Sequence, residues 1–366
     1  MKSYYMVKVF ITGATGFIGN SLLRALIERT DVNKFMLLVR NKEKAVEDLS
    51  HITNLIKNSG KEIEFIEGDV TKENLGLTSD EIKKIQEAEE VYHLASNISL
   101  SNEEKDKELI FKCNIDGTRN ILEIFKDSDN LKDLYFFSSA YSCGKTKEKV
   151  KEDWLKKPNS FRNYYEESKW LSEELIKEYV ENHNMNILIL RPSIVSISSS
   201  TEFPKVKNQT FYYYSRILRK AFKMQESPKI IRLIGKSNST SNIIPLNDLI
   251  NIVLEIRKLD QKSKFYNLVN PTSISTRAFI EGIEESLNFD EGFVFEEKLD
   301  SENLTNEEKF IYHRTKAYFE YNLIEDLEWN CSKTEDIRNR LNIKGLDNSW
   351  IKEHIKKFFS FLENER

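Results

Sequence analysis

Apolar positions along the chain follow two rhythms. Short runs occupy Val7 to Ile11, Lys34 to Val39, Ile63 to Glu67, Val91 to Ala95, Leu134 to Phe137 and Asn186 to Arg191, each with the length and continuity of a strand buried on both faces. Between them the apolar residues recur every three or four positions, as in Leu22-Leu23-Ala25-Leu26-Ile27, in Leu109-Ile110-Cys113-Ile115-Thr118-Ile121-Leu122-Phe125, and from Tyr164 to His183. That is helical spacing. Strands and helices in alternation predict an α/β chain whose mostly parallel sheet is wound on both faces. His93 falls inside a strand run, where a hydrogen-bonded core histidine is the better reading than a catalytic one.

Beyond Pro192 the rhythm loosens. All six prolines lie at or after Pro158, a serine-rich stretch runs from Ser196 to Thr201, and the helical patterns at Phe211 to Lys223, Leu246 to Lys258 and Thr276 to Leu287 lead into a helical tail. The expected organisation is a sheet domain over residues 1–195 and a smaller, mainly helical substrate region over 196–366, with residues 242–270 able to return to the sheet. There is no internal repeat and no heptad run.

Between the first strand and the first helix stands Thr12-Gly13-Ala14-Thr15-Gly16-Phe17-Ile18-Gly19, which holds three of the twelve glycines. A phosphate placed there would meet unpaired N–H groups and the positive end of the helix dipole. The G-x-x-G-x-x-G spacing departs from the usual G-x-G-x-x-G, so the strand before and the helix after carry the nucleotide-site reading over a mere packing turn. The next strand ends at Arg40, with Lys42 and Lys44 behind it. About 20 residues past the glycines an acid accepts from the ribose 2′-hydroxyl, whereas an arginine pairs with a 2′-phosphate, so Arg40 favours NADPH over NADH.

Composition changes this picture little. At 366 residues, 39% hydrophobic and 11% aromatic, the chain can bury a full core, and its net charge of −4 gives no global argument for nucleic acid. Cys113, Cys143 and Cys331 lie far apart without a C-x-x-C, so no disulfide framework and no metal site is expected. The glycine turn follows Met1 too soon for a secretion signal, and no apolar run approaches the ~18 residues of a membrane span. A soluble cytoplasmic protein is the expectation. Local charge is more informative: Lys205, Lys207, Arg216, Arg219, Lys220, Lys223, Lys229, Arg232 and Lys236 face one acid, Glu226. Such a patch suits CoA phosphates or an acidic carrier protein, or is a solvated helix face. Tyr212-Tyr213-Tyr214 within it reads as core packing in preference to a tunnel lining.

Tyr165 and Lys169 stand at i and i+4 on one helix face, where an ammonium can bring a phenol of reference pKa about 10 towards the working range. The same spacing occurs at Tyr4/Lys8, Tyr141/Lys145 and Tyr312/Lys316. Only Tyr165/Lys169 opens a helix after the fifth strand, beside the edge where doubly wound sheets bind ligands. Ser138-Ser139-Ala140 ends that strand, and a serine hydroxyl there can meet the same substrate oxygen as the tyrosine.

Taken with Gly68-Asp69-Val70, His93-Leu94-Ala95, Asn114-Ile115-Asp116-Gly117-Thr118, Arg191-Pro192-Ser193 and Ile244-Pro245-Leu246-Asn247-Asp248, these motifs resemble the extended short-chain dehydrogenase/reductase family, in family order. Leu38-Val39-Arg40, the Leu75-Gly76-Leu77 that follows Gly68-Asp69-Val70, Ser138-Ser139-Ala140-Tyr141, Tyr165-x-x-Ser168-Lys169-Trp170 and, loosely, Phe319-x-x-Asn322 are similar to its thioester reductase and fatty acyl reductase branch. Many of that branch carry threonine where this chain has Ser139.

The resemblance implies a Rossmann sheet and catalysis by Ser139, Tyr165 and Lys169. It assigns the cofactor to Gly13, Thr15, Gly16, Phe17, Ile18, Gly19, Arg40, Asp69, Val70, Leu94, Ala95, Lys169, Pro192, Ser193 and Ile194. The implied reaction is NADPH-dependent reduction of an acyl thioester, carried on CoA or a carrier protein, to an aldehyde or alcohol. A nucleotide-sugar epimerase or dehydratase shares the same fold and triad, and a non-catalytic NADP-binding regulatory protein shares the fold.

Overall fold

The six apolar runs are strands in a computed structural model that describes residues 6–198, 203–206, 209–227, 229–324 and 327–364. They are β1 (Val7–Thr12), β2 (Val32–Val39), β3 (Glu62–Glu67), β4 (Glu90–His93), β5 (Asp133–Phe137) and β6 (Ile187–Pro192). A seventh, Phe265–Leu268, pairs with β6, and every pairing is parallel, in the order seventh, β6, β5, β4, β1, β2, β3. The order reverses between β1 and β4. There the chain turns leave a crevice at the carboxyl ends of the strands, the place where such sheets take ligands.

Continuous apolar runs suit these strands because helices cover both faces. On one face Leu22, Leu23 and Leu26 of the Phe17–Ile27 helix meet Val9 and Ile11, together with Leu249, Ile252 and Val253 of the Leu246–Arg257 helix. On the other, Ile121 and Phe125 pack with Ile176 and with Phe10, Val91 and Phe136. Each fully buried aliphatic side chain of this kind contributes about 1.5–3 kcal/mol. Leu246–Arg257 and Phe265–Leu268 therefore pack with the sheet, although they follow a helical stretch that does not. Arg257 fastens this return by bonding Glu90 and Asp31 at 2.8 and 2.7 Å.

Two expected elements differ in detail. The run Val91 to Ala95 is a strand only to His93, because the Ala95 N–H leaves the ladder and donates to Thr12 Oγ1 at 3.2 Å. The long helical pattern ending at Phe125 is interrupted. It consists of a Glu104–Phe111 helix, a π turn at Lys112–Asp116 and a Gly117–Phe125 helix.

A second core gathers Tyr212, Leu218, Ile280, Ile283, Ile355 and Phe358 from the Thr210–Phe222, Thr276–Leu287 and Asn348–Asn364 helices. Tyr212 and Tyr214 are buried within it, as aromatic packing predicts. The basic stretch is less bare than its sequence, since Arg232 pairs with Glu308 and Lys236 with Glu297. Lys207, the Lys205 side chain, Tyr4 and residues 199–201 of the serine-rich stretch lie outside the described residues. Among the described residues no helix is long and apolar enough to cross a membrane, and no group of three or more potential ligands could hold a metal.

Candidate active site

The glycine turn closes directly against the end of β4. Gly13 has φ +75°, and a Cβ there would sit 2.7 Å from the Ala95 nitrogen; a Cβ on Gly19 would sit 2.2 Å from the Gly13 carbonyl oxygen. A side chain at Gly13 would push the turn off the backbone after β4, and one at Gly19 would push the helix off the turn. Thr15 and Gly16 are exposed, and no side chain caps the helix that begins at Phe17. Its first N–H groups and dipole are thus available to an anion. Phe17 and Ile18 are half-buried beside this turn.

A line of hydrogen bonds fixes the two crevice walls. Ala95 N–H donates to Thr12 Oγ1, which lies 2.7 Å from His93 Nδ1; His93 Nε2 lies 3.3 Å from Thr118 Oγ1, whose hydroxyl donates to the Asn114 carbonyl at 2.6 Å. Each donor has one acceptor if the proton of His93 is on Nε2. Burial, aided by the Lys169 charge, pushes the imidazole down to about 3, so His93 stays a neutral core residue.

Asn114 sits on the π turn and uses every hydrogen-bonding position of its amide. Nδ2 donates to the Asn97 carbonyl and to Ser168 Oγ, while Oδ1 accepts from Ser96 Oγ and the Asn97 N–H. It ties the segment after Ala95 to the Tyr164–Asn182 helix. π turns are rare and concentrate at functional sites, yet the apolar period through this stretch gave no sign of one.

That helix brings the chemistry-bearing side chains together. Asn163 caps its start by accepting the Glu166 N–H at 3.0 Å. The hydroxyl of Tyr165, one residue inside, lies close enough to Ser139 for that side chain to draw its pKa down, and Ser139 is itself fixed by accepting the Tyr141 N–H at 3.2 Å. Lys169 is buried and donates to the Phe137 carbonyl at 2.8 Å, with its nitrogen 5.9 Å from the Tyr165 ring centre. Burial pushes the phenol up to about 12 against the lowering by Ser139 and brings the ammonium down to about 8. The expected lowering of the phenol by Lys169 is not seen, because that ammonium is turned to the β5 backbone. For a group that must deliver a proton, a phenol kept protonated is the useful form.

The remaining expected cofactor residues line the same edge. Arg40 is exposed just past β2, and Asp69 follows β3 with Oδ1 accepting the Thr71 N–H at 2.9 Å. The half-buried Cys113 thiol lies within electrostatic reach of Lys169, Arg40 and Asp69 together. Val70 is buried next to Gly117, and Leu94 is half-buried beyond the end of β4. Pro192 ends β6, Ser193 is buried with an Oγ that has no hydrogen-bond partner among the described residues, and Ile194 begins a short strand paired with Ile243–Pro245. An orphaned hydroxyl, an uncapped helix and a turn with no room for side chains fit a dinucleotide.

Sequence reasoning did not find the supports of this site. Arg191, marked only as part of a motif, is fully buried and bonds Glu173 through Nε at 3.0 Å and Nη2 at 2.6 Å. Glu173 also accepts from Ser138 and Ser142 on either side of Ser139. Its place in a helix two turns beyond Glu166 was the available signal, since a buried acid demands a partner.

A sequence profile of the family described as male sterility protein matches residues 11–253. Fatty acyl-CoA reductase wat of Drosophila melanogaster is 27% identical over 233 aligned residues, covering 53% of this chain and 44% of that protein. The putative fatty acyl-CoA reductase CG8306 of the same species is 32% identical over 186 residues, covering 46% and 35%. The chain thus spans less than half the length of these curated relatives. Among solved structures, the terminal R domain from the myxalamid PKS-NRPS biosynthetic pathway has a TM-score of 0.75 at 19% identity, covering 98% of this chain and 91% of that one. UDP-glucuronic acid 4-epimerase from Bacillus cereus has a TM-score of 0.68, also at 19%, covering 98% and 100%. At such identity the likeness speaks for the fold.

Proposed function

Because the chain belongs to the NAD-binding family described as male sterility protein, among the extended short-chain dehydrogenase/reductases, we propose that it is an NADPH-dependent reductase of acyl thioesters. The observation that carries the reading is the hydroxyl pair of Ser139 and Tyr165, with the buried Lys169 beside it, at the carboxyl edge of the sheet. Gly13, Thr15, Gly16, Phe17, Ile18 and Gly19 would hold the diphosphate, Asp69 and Val70 the adenine end, and Leu94, Ala95, Pro192, Ser193 and Ile194 the nicotinamide end. Arg40, a fixed cation past β2, would meet the 2′-phosphate that distinguishes NADPH from NADH.

When bound, the dinucleotide would supply the hydride that the thioester carbonyl carbon accepts. Ser139 and Tyr165 donate hydrogen bonds to the carbonyl oxygen as it gains charge, and Tyr165 gives up its proton to form a hemithioacetal. General acid catalysis of this kind contributes about 10²- to 10⁴-fold. Lys169, held beside Tyr165 by the Phe137 carbonyl, would bind the nicotinamide ribose. Loss of the hemithioacetal hydroxyl proton with departure of the thiol yields the aldehyde, and a second reduction would yield the alcohol. The acyl group would arrive on CoA or a carrier protein.

The test is to combine the protein with NADPH and an acyl-CoA or acyl-carrier thioester. Loss of reduced nicotinamide with matching aldehyde or alcohol is the expected result. Turnover of free aldehydes or ketones with no thioester accepted would overturn the reading, and NAD retained through purification would favour an epimerase.

A further inference from the structure

The Tyr164–Asn182 helix carries a second tight arrangement at its start, which the Ser139, Tyr165 and Lys169 chemistry does not use. Glu166 follows Tyr165 and is fully buried. Its Oε2 accepts the Arg162 backbone N–H at 3.0 Å, and both its oxygens lie 3.2 Å from Arg162 Nη1. Oε1 also accepts the Tyr321 hydroxyl at 2.7 Å, and that hydroxyl accepts from Asn163 Nδ2 at 2.8 Å. Asn163 is the residue that caps the helix.

Tyr321 comes from the tail, in the short Phe319–Asn322 helix, 155 positions after Glu166. Its ring stands edge-on to Tyr141 at 5.5 Å and lies 5.6 Å from the Arg162 guanidinium. Tyr141 is the residue whose N–H holds Ser139 Oγ. Arg162 closes the circuit by donating to the Gly144 carbonyl at 2.9 Å, one residue beyond the short Ala140–Cys143 turn. One tail side chain therefore reaches Tyr165 through Glu166 and Ser139 through Tyr141.

From this geometry we infer that Tyr321 is a positioning residue that sets the spacing of the Ser139 and Tyr165 hydroxyls, so that the reduction depends on the docked tail. The inference rests on the catalytic reading of Ser139 and Tyr165. Two hydroxyls must meet one substrate oxygen, and a displacement of either by a fraction of an ångström lowers the rate without preventing binding. Replacing Tyr321 by phenylalanine keeps the ring against Tyr141 but removes the donor to buried Glu166 and the acceptor for Asn163. A hydrogen bond to a charged group is at stake.

The experiment compares Tyr321→Phe with the unchanged protein and with Tyr165→Phe, by steady-state kinetics and by amide hydrogen exchange. Tyr321→Phe is expected to lower kcat about 10- to 100-fold with KM for NADPH unchanged. Exchange should quicken at residues 139–144 and 162–168 and stay unchanged in β1 and β2. Glu166→Gln, which keeps the side-chain volume, should show the same pattern and serves if Tyr321→Phe folds poorly. An unchanged kcat and unchanged exchange in Tyr321→Phe, with Tyr165→Phe inactive, would overturn the inference alone. A fully active Tyr165→Phe would instead remove the catalytic reading, and the exchange pattern would then decide separately whether Tyr321 holds the two segments.

Discussion

Two buried glutamates, each paired with an arginine, lie two turns apart on the same helix, and they are anchored in different halves of the molecule. Glu173 meets Arg191, Ser138 and Ser142, all from β5, β6 and the turn between them, and Arg191 continues to the carbonyls of Lys151 and Asp153. Glu166 meets Arg162, four positions before it in sequence, and Tyr321 from the tail. The first pair is completed within the sheet half, whereas the second needs Tyr321, which comes 155 positions after Glu166. The difference separates what holds the site together from what adjusts it.

The largest effect expected from this contrast is on stability. Glu173→Ala leaves the Arg191 charge buried and unpaired, and should lower the unfolding free energy by about 3–5 kcal/mol, read by thermal or denaturant melting. Replacing Glu173 and Arg191 together by apolar residues should recover much of it. A Glu173→Ala protein as stable as the parent would break the distinction between the two pairs.

Arg40→Ala probes the sheet half at its other end. NADPH should bind about 10- to 100-fold more weakly, the worth of a hydrogen-bonded charge pair, with NADH affinity unchanged, as measured by titration of cofactor fluorescence. Equal losses for both would show that Arg40 does not meet a 2′-phosphate. In the tail half, Tyr321→Phe should lower stability by about 1.5–3 kcal/mol, the worth of a hydrogen bond to a charged group, which is less than Glu173→Ala costs. Melting and kinetics should thus rank Glu173 and Tyr321 in opposite orders.

The smallest effect is a pH dependence that belongs to neither pair. Lys169 loses its proton near pH 8 in the folded protein, because burial disfavours its charge. kcat/KM should therefore fall as pH rises through about 8, where the cation that would hold the cofactor ribose beside Tyr165 is lost. Stability moves the other way. Between that value and the ordinary lysine value the unfolded chain binds more protons than the folded one, so this group adds stability as pH rises. Lys169→Met should abolish that rise in a melting series.

The same division describes what was legible in the chain. Strand runs, helix periods and the Gly13 to Gly19 turn depend on neighbours in sequence, and they located the sheet, the crevice and the Tyr165/Lys169 face. Ser139 was singled out because it closely follows a strand run, and it stands two residues beyond β5. Asn114 was marked only as part of a motif, and its linking role was hidden because a π turn leaves the apolar period on either side intact. Tyr321 was hidden because its partners, Glu166 and Asn163, lie more than 150 positions away, and no spacing rule joins them. The basic stretch from Lys205 to Lys236 misled in part, since Glu297 and Glu308, which meet two of its charges, come from later in the chain.

The central claim is that hydride reaches a thioester carbon beside Ser139 and Tyr165. The most direct measurement is a reaction of an acyl-CoA or acyl-carrier thioester with NADPH deuterated at the transferring position of its nicotinamide, with the product examined by mass spectrometry. The account predicts one deuterium at the former carbonyl carbon of the aldehyde and none when Tyr165→Phe replaces the parent protein. A product that forms without deuterium, or labelled product from free carbonyl compounds alone, would contradict it.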